Sequence, residues 1–209
     1  ITPVVQQTSL KHMRPGGGPK KQQQQQQEDD EVKFNILEID VGWGANFRYY
    51  PAGSSVIAVE STFLNDRFQE YLEMIHDHSL GVKIGKVVLT DPENLGQVDG
   101  ESVEVVVCTR VLSKVRDVDA VLAEIRRVLK PGGKFYFMEH VFEPKSSFTH
   151  YMQRLFNPLQ VRFSDNCHFT RETWKNIDKA GFSTVQYKRF SAYKLPFIVR
   201  PHLMGTATK

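Results

Sequence analysis

Cysteine is scarce in this chain, which has two among its 209 residues, Cys108 and Cys167. Two cysteines are too few for a disulfide scaffold, and their spacing matches no metal-binding motif. No apolar run reaches the roughly 18 residues that a membrane-spanning helix needs, and no signal peptide is visible. The sequence therefore excludes a disulfide-rich secreted domain. We expect a reducing compartment and no metal site.

A strong excess of charge of one sign is also absent. The chain has 27 Lys and Arg against 24 Asp and Glu, a formal net charge of +3. No stripe of basic residues with interleaved aromatics stands out, so a nucleic acid is not an expected partner. The hydrophobic fraction of 40% is ordinary for a globular protein, and the length suffices for one domain with a sizeable core.

The first 31 residues have almost nothing to bury. They contain a run of proline and glycine over residues 15–19, an uninterrupted glutamine run over residues 22–27 and an acidic run over residues 28–31. Such a segment cannot offset the entropy cost of ordering its backbone. The composition therefore predicts a disordered glutamine-rich tail over residues 1–31 and a folded domain over residues 32–209.

Strand and helix patterns alternate from Val32 onward. Short apolar or β-branched runs predict strands over residues 34–39, 54–60, 82–89, 103–108, 134–141, 182–190 and 202–207. Apolar residues at helical spacing predict helices over residues 63–75 and 117–129, a helix from Phe148 that stops at Pro158, and a helix from a Thr170 cap to Ala180. This alternation predicts a doubly wound, mostly parallel α/β sheet.

A glycine turn follows the first predicted strand, in the sequence Asp40-Val41-Gly42-Trp43-Gly44, and a helix-like segment follows over residues 45–50. Such a turn lets backbone N–H groups meet a ligand without side chains in the way. Open α/β sheets bind nucleotide-like ligands at these strand ends. The alternative is a tight strand-to-helix connection that binds nothing.

Acidic and polar residues follow the next two predicted strands. Glu60 ends the second strand about twenty residues after the glycine turn, where a carboxylate can accept both hydroxyls of a ribose. The segment over residues 91–95 follows the third strand, where polar side chains and backbone can contact an adenine edge. The turn, Glu60 and this segment together predict a cleft for an adenosine-containing cofactor.

Two classes of enzyme share this layout. A dinucleotide-binding dehydrogenase needs a third glycine where this chain has Phe47. The methyltransferase motif Glu-x-Gly-x-Gly-x-Gly fits better, with Glu38, Gly42 and Gly44 in place and Asp40 at the first glycine position. The segment RRVLKPGG over residues 126–133 also resembles the turn before the fifth strand of class I methyltransferases.

Over about residues 35–209 the sequence resembles the methyltransferase-like 7 family, the membrane-associated thiol S-methyltransferases of the endoplasmic reticulum and lipid droplets. The resemblance rests on GANF at 44–47, YPAG at 50–53, VVVCT at 105–109 with VL at 111–112, EHV at 139–141, TRETWK at 170–175 and PHLMG at 201–205. It implies a class I methyltransferase fold of seven strands with the last antiparallel. It also implies methyl transfer from S-adenosylmethionine to small lipophilic thiols.

The layout and the resemblance together assign site residues. Those assigned to the cofactor are Glu38, Asp40, Gly42 and Gly44 at its methionine end, Glu60 at its ribose, Glu93, Asn94 and Leu95 near its adenine, and Cys108 and Thr109 near the donor methyl group. The candidate catalytic residues are His140, as a titratable group near the acceptor, and Cys108. The alternatives are a hydrogen-bonded structural histidine and a packed small hydrophobic thiol. Residues 148–163 are interpreted as a lid over a lipophilic substrate or as an ordinary core helix.

The chain also departs from the family. Asp40 and Trp43 replace a glycine and a threonine of the cofactor loop, which favours an alternative function, a methyltransferase-fold binding module with little or no turnover. The polar tail stands where the family has an apolar anchor. The resemblance implies the endoplasmic reticulum membrane or lipid droplets. The sequence as given is expected to be soluble, cytoplasm-facing and monomeric, with any anchor upstream of Ile1.

Overall fold

The computed structural model describes residues 34–42, 44–61, 81–144, 147–164 and 166–209. The predicted tail over residues 1–31 and the predicted helix over residues 63–75 lie outside the described residues. Trp43 lies outside them as well.

The described residues form a seven-stranded sheet in the order β3-β2-β1-β4-β5-β7-β6. The strands are β1 (Asn35–Ile39), β2 (Ser55–Glu60), β3 (Lys83–Leu89), β4 (Val103–Thr109), β5 (Leu129–His140), β6 (Thr184–Ser191) and β7 (Pro201–Thr208). Strands β1 to β5 pair in parallel, and β7 runs antiparallel to both of its neighbours, β5 and β6. The predicted α/β class, with an antiparallel last strand, is confirmed.

The strand order reverses between β1 and β4, which lie side by side in the sheet. The chain runs outward from β1 through β2 to β3 and then returns to β4 on the other side of β1. The segments that follow β1 and β4 therefore diverge at the carboxyl ends of these strands. In open α/β sheets the ligand cleft forms at this point.

The central strands are buried on both faces. Leu37 and Val106 belong to one apolar cluster, and their strand neighbours Ile36 and Val107 belong to another on the opposite face. Side chains alternate along a strand, so the nearly continuous apolar sequence of β4 supplies both clusters. This confirms the prediction of a doubly covered strand over residues 103–108.

The first described helix, α1 (Val118–Val128), begins where the sequence predicts. The Asp117 carboxylate caps it by accepting hydrogen bonds from the N–H groups of Asp119 and Ala120 at 2.9 and 3.1 Å. Strand β5 starts directly after α1, whereas the sequence predicts it to start at residue 134. Val103 of β4 pairs with Leu129 and Val105 pairs with Lys134, so β5 has extra residues between these two pairs, which make it irregular. From the sequence alone, these residues were interpreted as the end of the helix.

The second helix, α2 (Phe148–Phe163), passes through Pro158, so the predicted stop at Pro158 is wrong. Proline removes one intrahelical hydrogen bond, but its φ is compatible with a helix. The last turn is closed by the bond from Ser164 N–H to the Gln160 carbonyl at 2.9 Å. Helix α2 buries His150 and Gln153 and leaves much of its apolar side exposed, including Phe148, Tyr151, Leu155, Leu159 and Phe163.

The third helix, α3 (Thr173–Lys179), is shorter than predicted, and Thr170 is not its cap. Glu172 occupies the cap position without a side-chain hydrogen bond. The N–H of Phe142 donates to the Arg171 carbonyl at 3.1 Å, which holds the residues before α3 outside the helix.

No helix in the described part of the chain has the length and apolarity to cross a membrane.

Candidate functional site

The turn after β1 adopts the left-handed backbone conformation at three positions. The φ angles of Asp40, Gly42 and Gly44 are 58°, 52° and 60°. Glycine adopts this region without strain, and aspartate tolerates it better than most residues. A Cβ atom at Gly42 would meet no atom of the described residues within 4 Å, so none of them fills the space in front of the turn. The helix-like segment predicted over residues 45–50 is a short 3-10 helix, Phe47–Tyr49.

Glu38 lies buried behind this turn. Its two carboxylate oxygens accept hydrogen bonds from Tyr50 Oη at 2.6 Å and from Asn46 Nδ2 at 2.8 Å. The Asn46 amide also donates to Thr109 Oγ1 at 3.3 Å. Burial raises the pKa of Glu38 to about 7, against the effect of both hydrogen bonds. Glu38 thus joins the turn to the end of β4 and stabilises the shape of the loop.

Glu60, at the end of β2, contacts the turn directly. Its Oε1 accepts a hydrogen bond from the N–H of Gly42 at 2.9 Å, and the residue is 3% exposed. Burial raises the pKa of Glu60 to about 7, and the bond from Gly42 opposes this rise. The structure brings Glu60 to the loop as the spacing predicts, while its contact with a ribose stays a prediction.

A cavity of about 280 Å³ lies beside the turn, with walls from the segments that follow four successive strands. Asp40, Ser61, Glu93 and Lys114 each represent one of these segments. The Lys114 ammonium lies 3.3 Å from the Asp40 carboxylate, and each side chain is about one third exposed. The sequence did not predict this ion pair, which offsets the charge of Asp40.

Only part of the segment expected near the adenine, residues 91–95, lines this cavity. Glu93 lines it, and its carboxylate accepts hydrogen bonds from the N–H groups of Arg116 and Asp117 at 2.7 and 3.2 Å. Asn94 is exposed, and its Oδ1 accepts from Gly96 N–H at 3.2 Å. Contact between either residue and adenine stays a prediction.

Leu95 does not reach the cavity, which corrects its assignment to the adenine site. The residue is fully buried, and its N–H donates to the Glu124 carboxylate at 2.8 Å. Its carbonyl accepts from Arg127 at 2.8 Å and from Val98 N–H at 2.8 Å. All of its polar atoms are therefore used inside the protein.

Cys108 is a packed core thiol and not a catalytic group. It is fully buried, and its Sγ lies 3.9 Å from Glu139 Oε1. Burial, followed by the charges of Glu139 and Asp40, raises the pKa of Cys108 well above its usual value. A neutral thiol inside the core cannot contact a substrate, which favours the alternative given for this residue. Thr109, the next residue, is half-buried and belongs to the Asn46 network.

His140 is also buried, which argues against the role of a general base. It is 6% exposed, and its Nε2 lies 2.7 Å from Cys167 Sγ. Burial lowers the pKa of His140 to about 4, and the charges of His202, Arg110 and Lys114 act in the same direction. A base of this strength stays neutral at pH 7 and accepts a proton from a thiol poorly. The structural alternative is favoured here too.

Glu139 is a buried carboxylate beside the cavity that the sequence analysis did not assign to the site. Its carboxylate accepts hydrogen bonds from the N–H groups of Val111, Leu112 and Ser113 at 2.8, 2.9 and 3.2 Å, and it is fully buried. Burial raises the pKa of Glu139 to about 7, against these bonds. The residue fixes the loop after β4 that walls the cavity. An acidic residue in an otherwise aromatic strand was the available signal.

The described residues include no group of three or more His, Cys, Asp or Glu side chains that could hold a metal ion.

Comparison with known proteins identifies the family. A family described as "Methyltransferase domain" matches residues 37–137. Human thiol S-methyltransferase TMT1A is 37% identical over 177 residues, which cover 85% of this chain and 71% of the human protein. Rat thiol S-methyltransferase TMT1B is 42% identical over 176 residues, which cover 83% of this chain and 70% of the rat protein. The chain belongs to the thiol S-methyltransferase family.

Solved structures agree on the fold. The crystal structure of an S-adenosylmethionine-dependent methyltransferase from Methanosarcina mazei superposes with a TM-score of 0.60 and 16% identity, covering 85% of this chain and 92% of that chain. At this identity the similarity shows the fold alone. The fold of this chain is therefore the class I methyltransferase architecture.

This member of the thiol S-methyltransferase family is an S-adenosylmethionine-dependent methyltransferase. Its own residues fit the cofactor, because no described residue fills the space in front of Gly42 and a buried carboxylate, Glu60, lies beside the turn. The comparisons favour an enzyme over the binding-module alternative. The sequence-based assignments of cofactor and enzyme class are confirmed.

Proposed function

We propose that this chain transfers the methyl group of S-adenosylmethionine to small lipophilic thiols. The observation that carries the choice of acceptor is an apolar cavity of about 410 Å³ next to the carboxyl ends of the strands. Relatives at 37 and 42% identity are named thiol S-methyltransferases, which supports thiol sulfur as the acceptor atom.

The apolar cavity has walls from three segments of the chain. Phe156, Leu159 and Phe163 of α2 line one side, and Phe169 and Phe197 line others. The ring of Phe169 lies 5.9 Å from the ring of His140 at the end of β5, so the cavity opens at the same edge of the sheet as the cofactor loop. A cavity of this composition suits an alkyl or aryl group. These contacts support the lid interpretation of residues 148–163.

When bound, S-adenosylmethionine supplies an activated methyl group. The protein's contribution is alignment, which can supply roughly 7–11 kcal/mol of the barrier. Glu38 and Glu60 hold the loop at one side, and Glu139 holds the loop after β4. The apolar cavity positions the alkyl or aryl part of the acceptor. Because Cys108 and His140 are buried and neutral, we assign no general base, and the thiol proton leaves to solvent.

The test compares two leucines of α2 that are both exposed. Leu159 lines the apolar cavity, whereas Leu155 does not appear among its walls. We expect L159D to raise the KM for hexanethiol by about tenfold or more, as a contact of one methylene or larger is lost. L155D should leave it unchanged, and both variants should bind S-adenosylmethionine like the parent. If the parent binds S-adenosylmethionine but forms no methyl thioether, the binding-module alternative stands and this proposal fails.

From the family resemblance we infer a monomer that acts at the endoplasmic reticulum membrane or lipid droplets, and the exposed apolar side of α2 supports contact with such a surface. Cell fractionation tests the location. Equal recovery of the chain from all fractions would contradict it.

A further inference from the structure

Arg110 has an unusual backbone conformation at the end of β4. It follows the last residue of the strand, and its φ is 59°. Its N–H donates to the carbonyl of Met138 on β5 at 2.7 Å, so the neighbouring strand fixes the bend. A non-glycine residue in this region is uncommon, and such residues cluster at active sites. The bend lies at the carboxyl end of β4, directly before Val111, which lines the 280 Å³ cavity.

The side chain of Arg110 is exposed and has no ion-pair or hydrogen-bond partner among the described residues. Its charge nevertheless acts on two histidines. Burial lowers the pKa of both His140 and His202, and the positive charge of Arg110 contributes to both decreases. These histidines pair with each other on β5 and β7, beyond β4 in the sheet. Arg110 itself follows the strand next to β5, and the last residue of β5, His140, pairs with His202 on β7.

Arg110 lies between the cofactor side and the acceptor side of this edge of the sheet. On one side, Thr109 belongs to the hydrogen-bond network behind the glycine turn, and Val111 lines the 280 Å³ cavity. On the other side, His140 contacts Phe169, which lines the apolar cavity. Arg110 is therefore placed where the methyl donor and the acceptor would meet.

The other charged groups that face this edge already have partners or are neutral. Lys114 pairs with Asp40, and Glu139 turns inward to accept three N–H groups. The Arg171 guanidinium donates to the Leu112 carbonyl at 2.7 Å. His140 and His202 are held neutral by burial. Arg110 is thus the unpaired cation among these groups.

We propose that Arg110 binds the acceptor sulfur as a thiolate and thereby lowers the pKa of the bound thiol. The proposal rests on the thiol methyltransferase function proposed above. A free alkyl thiol is largely protonated at pH 7, and an adjacent cation favours the nucleophilic thiolate. The proton leaves to solvent, the thiolate sulfur forms the new bond to the methyl carbon, and the electron pair of the broken bond stays on the donor sulfur. The product thioether is neutral, so Arg110 no longer attracts it and its release is favoured.

The test uses the full chain and hexanethiol, with R110Q and R110K compared against K188Q. Lys188 is exposed on β6, at the far edge of the sheet, and serves as the charge-removal control. We expect R110Q to shift the pH profile of kcat/KM upward by about one unit and to lower kcat/KM at pH 7 by about tenfold. R110K should retain most of the activity, and K188Q should match the parent. Affinity for S-adenosylmethionine, measured by calorimetry, should be the same in all four proteins.

A second readout does not require turnover. Thiolate absorbance of hexanethiol, titrated with pH in the presence of the protein and S-adenosylhomocysteine, gives the pKa of the bound thiol. A lower bound-thiol pKa in the parent than in R110Q supports the role of Arg110 even if no thioether forms, in which case only the proposed function fails. Equal bound-thiol pKa values and parallel pH profiles in a parent that methylates thiols overturn the role of Arg110 and leave the function intact. No thiol binding and no methylation by the parent overturn both.

Discussion

The ammonium of Lys114 lies 3.3 Å from the carboxylate of Asp40 and connects the loop after β4 to the cofactor turn after β1. Asp40 stands at the first glycine position of the methyltransferase motif and has a φ of 58°. This position can hold a carboxylate for two reasons. Aspartate tolerates the backbone conformation, and the Lys114 ammonium offsets the charge of the Asp40 carboxylate. A partly exposed ion pair of this kind stabilises the fold only slightly.

We predict that D40G binds S-adenosylmethionine more tightly than the parent. Glycine adopts the same φ without strain, and removal of the carboxylate leaves the Lys114 ammonium free to attract the carboxylate of the ligand. The expected gain is about fivefold, which corresponds to about 1 kcal/mol, a typical energy for two exposed charges about 4 Å apart. Isothermal calorimetry measures it.

Two further variants separate charge from backbone in this prediction. D40N removes the charge and keeps the side-chain size, so its affinity should lie between those of the parent and D40G. K114M should weaken binding, because the Asp40 carboxylate is then unpaired beside the ligand. A loss of affinity in D40G would mean that Asp40 contacts the ligand, and the repulsion argument would be wrong.

We predict that E60A lowers the affinity for S-adenosylmethionine by roughly ten- to a hundredfold. The two ribose hydroxyls would lose a charge-assisted acceptor, which is worth about 1.5–3 kcal/mol. Because Glu60 also accepts the Gly42 N–H, E60Q is the necessary comparison, as it keeps an acceptor for the loop and removes the charge. Its affinity should be intermediate. Calorimetry that finds E60A equal to the parent would remove Glu60 from the site.

Several features of this fold follow from local sequence. The β-branched run of β4 predicts a strand buried on both faces, and the apolar spacing over residues 117–129 predicts a helix, because each pattern depends on residues within a few positions. The start of β5 does not follow from local sequence, because the irregularity between Leu129 and Lys134 exists only in the pairing with β4. Pattern reading sees proline and glycine there and predicts the end of a helix.

The site shows the same division. The sequence predicts that Gly42 and Glu60 lie at neighbouring strand ends, and the structure brings them into contact, while their contact with the cofactor stays a prediction. The Asp40–Lys114 pair joins residues 74 positions apart, and spacing alone cannot predict it. The left-handed conformation of Arg110 was also missed, since arginine carries no sequence signal for a positive φ.

We predict that deletion of residues 1–31 leaves the melting temperature nearly unchanged. This segment is polar and rich in glutamine and glycine, so its composition gives it little apolar area to bury. Differential scanning calorimetry of the full and shortened chains tests this. A decrease of several degrees would show that the segment docks on the domain.

The last prediction concerns Glu139, whose ionisation makes stability depend on pH. Burial raises the pKa of Glu139 from 4.5 to about 7, so between these values the folded protein holds a proton that the unfolded chain releases. Its contribution to stability is therefore fully present below about pH 4.5 and is lost as the pH rises through 7. Glu38 and Glu60 have pKa values raised to about 7 as well, so the parent should lose stability between about pH 4.5 and 7.

E139Q cannot ionise, so its free energy of unfolding should fall less steeply over the same range. The variant should also be less stable than the parent at pH 6.5 by about 1–3 kcal/mol, because an amide can present only one oxygen to the three N–H groups of the loop after β4. Urea unfolding at several pH values measures both effects, with E101Q as a control that removes an exposed carboxylate. His140, whose pKa is lowered to about 4, loses its own contribution as the pH falls below 6.5, but it does so equally in E139Q and the parent, so the difference between the two curves reports Glu139. Parallel curves for E139Q and the parent would mean that Glu139 stays ionised throughout, held by the three hydrogen bonds against the cost of burial.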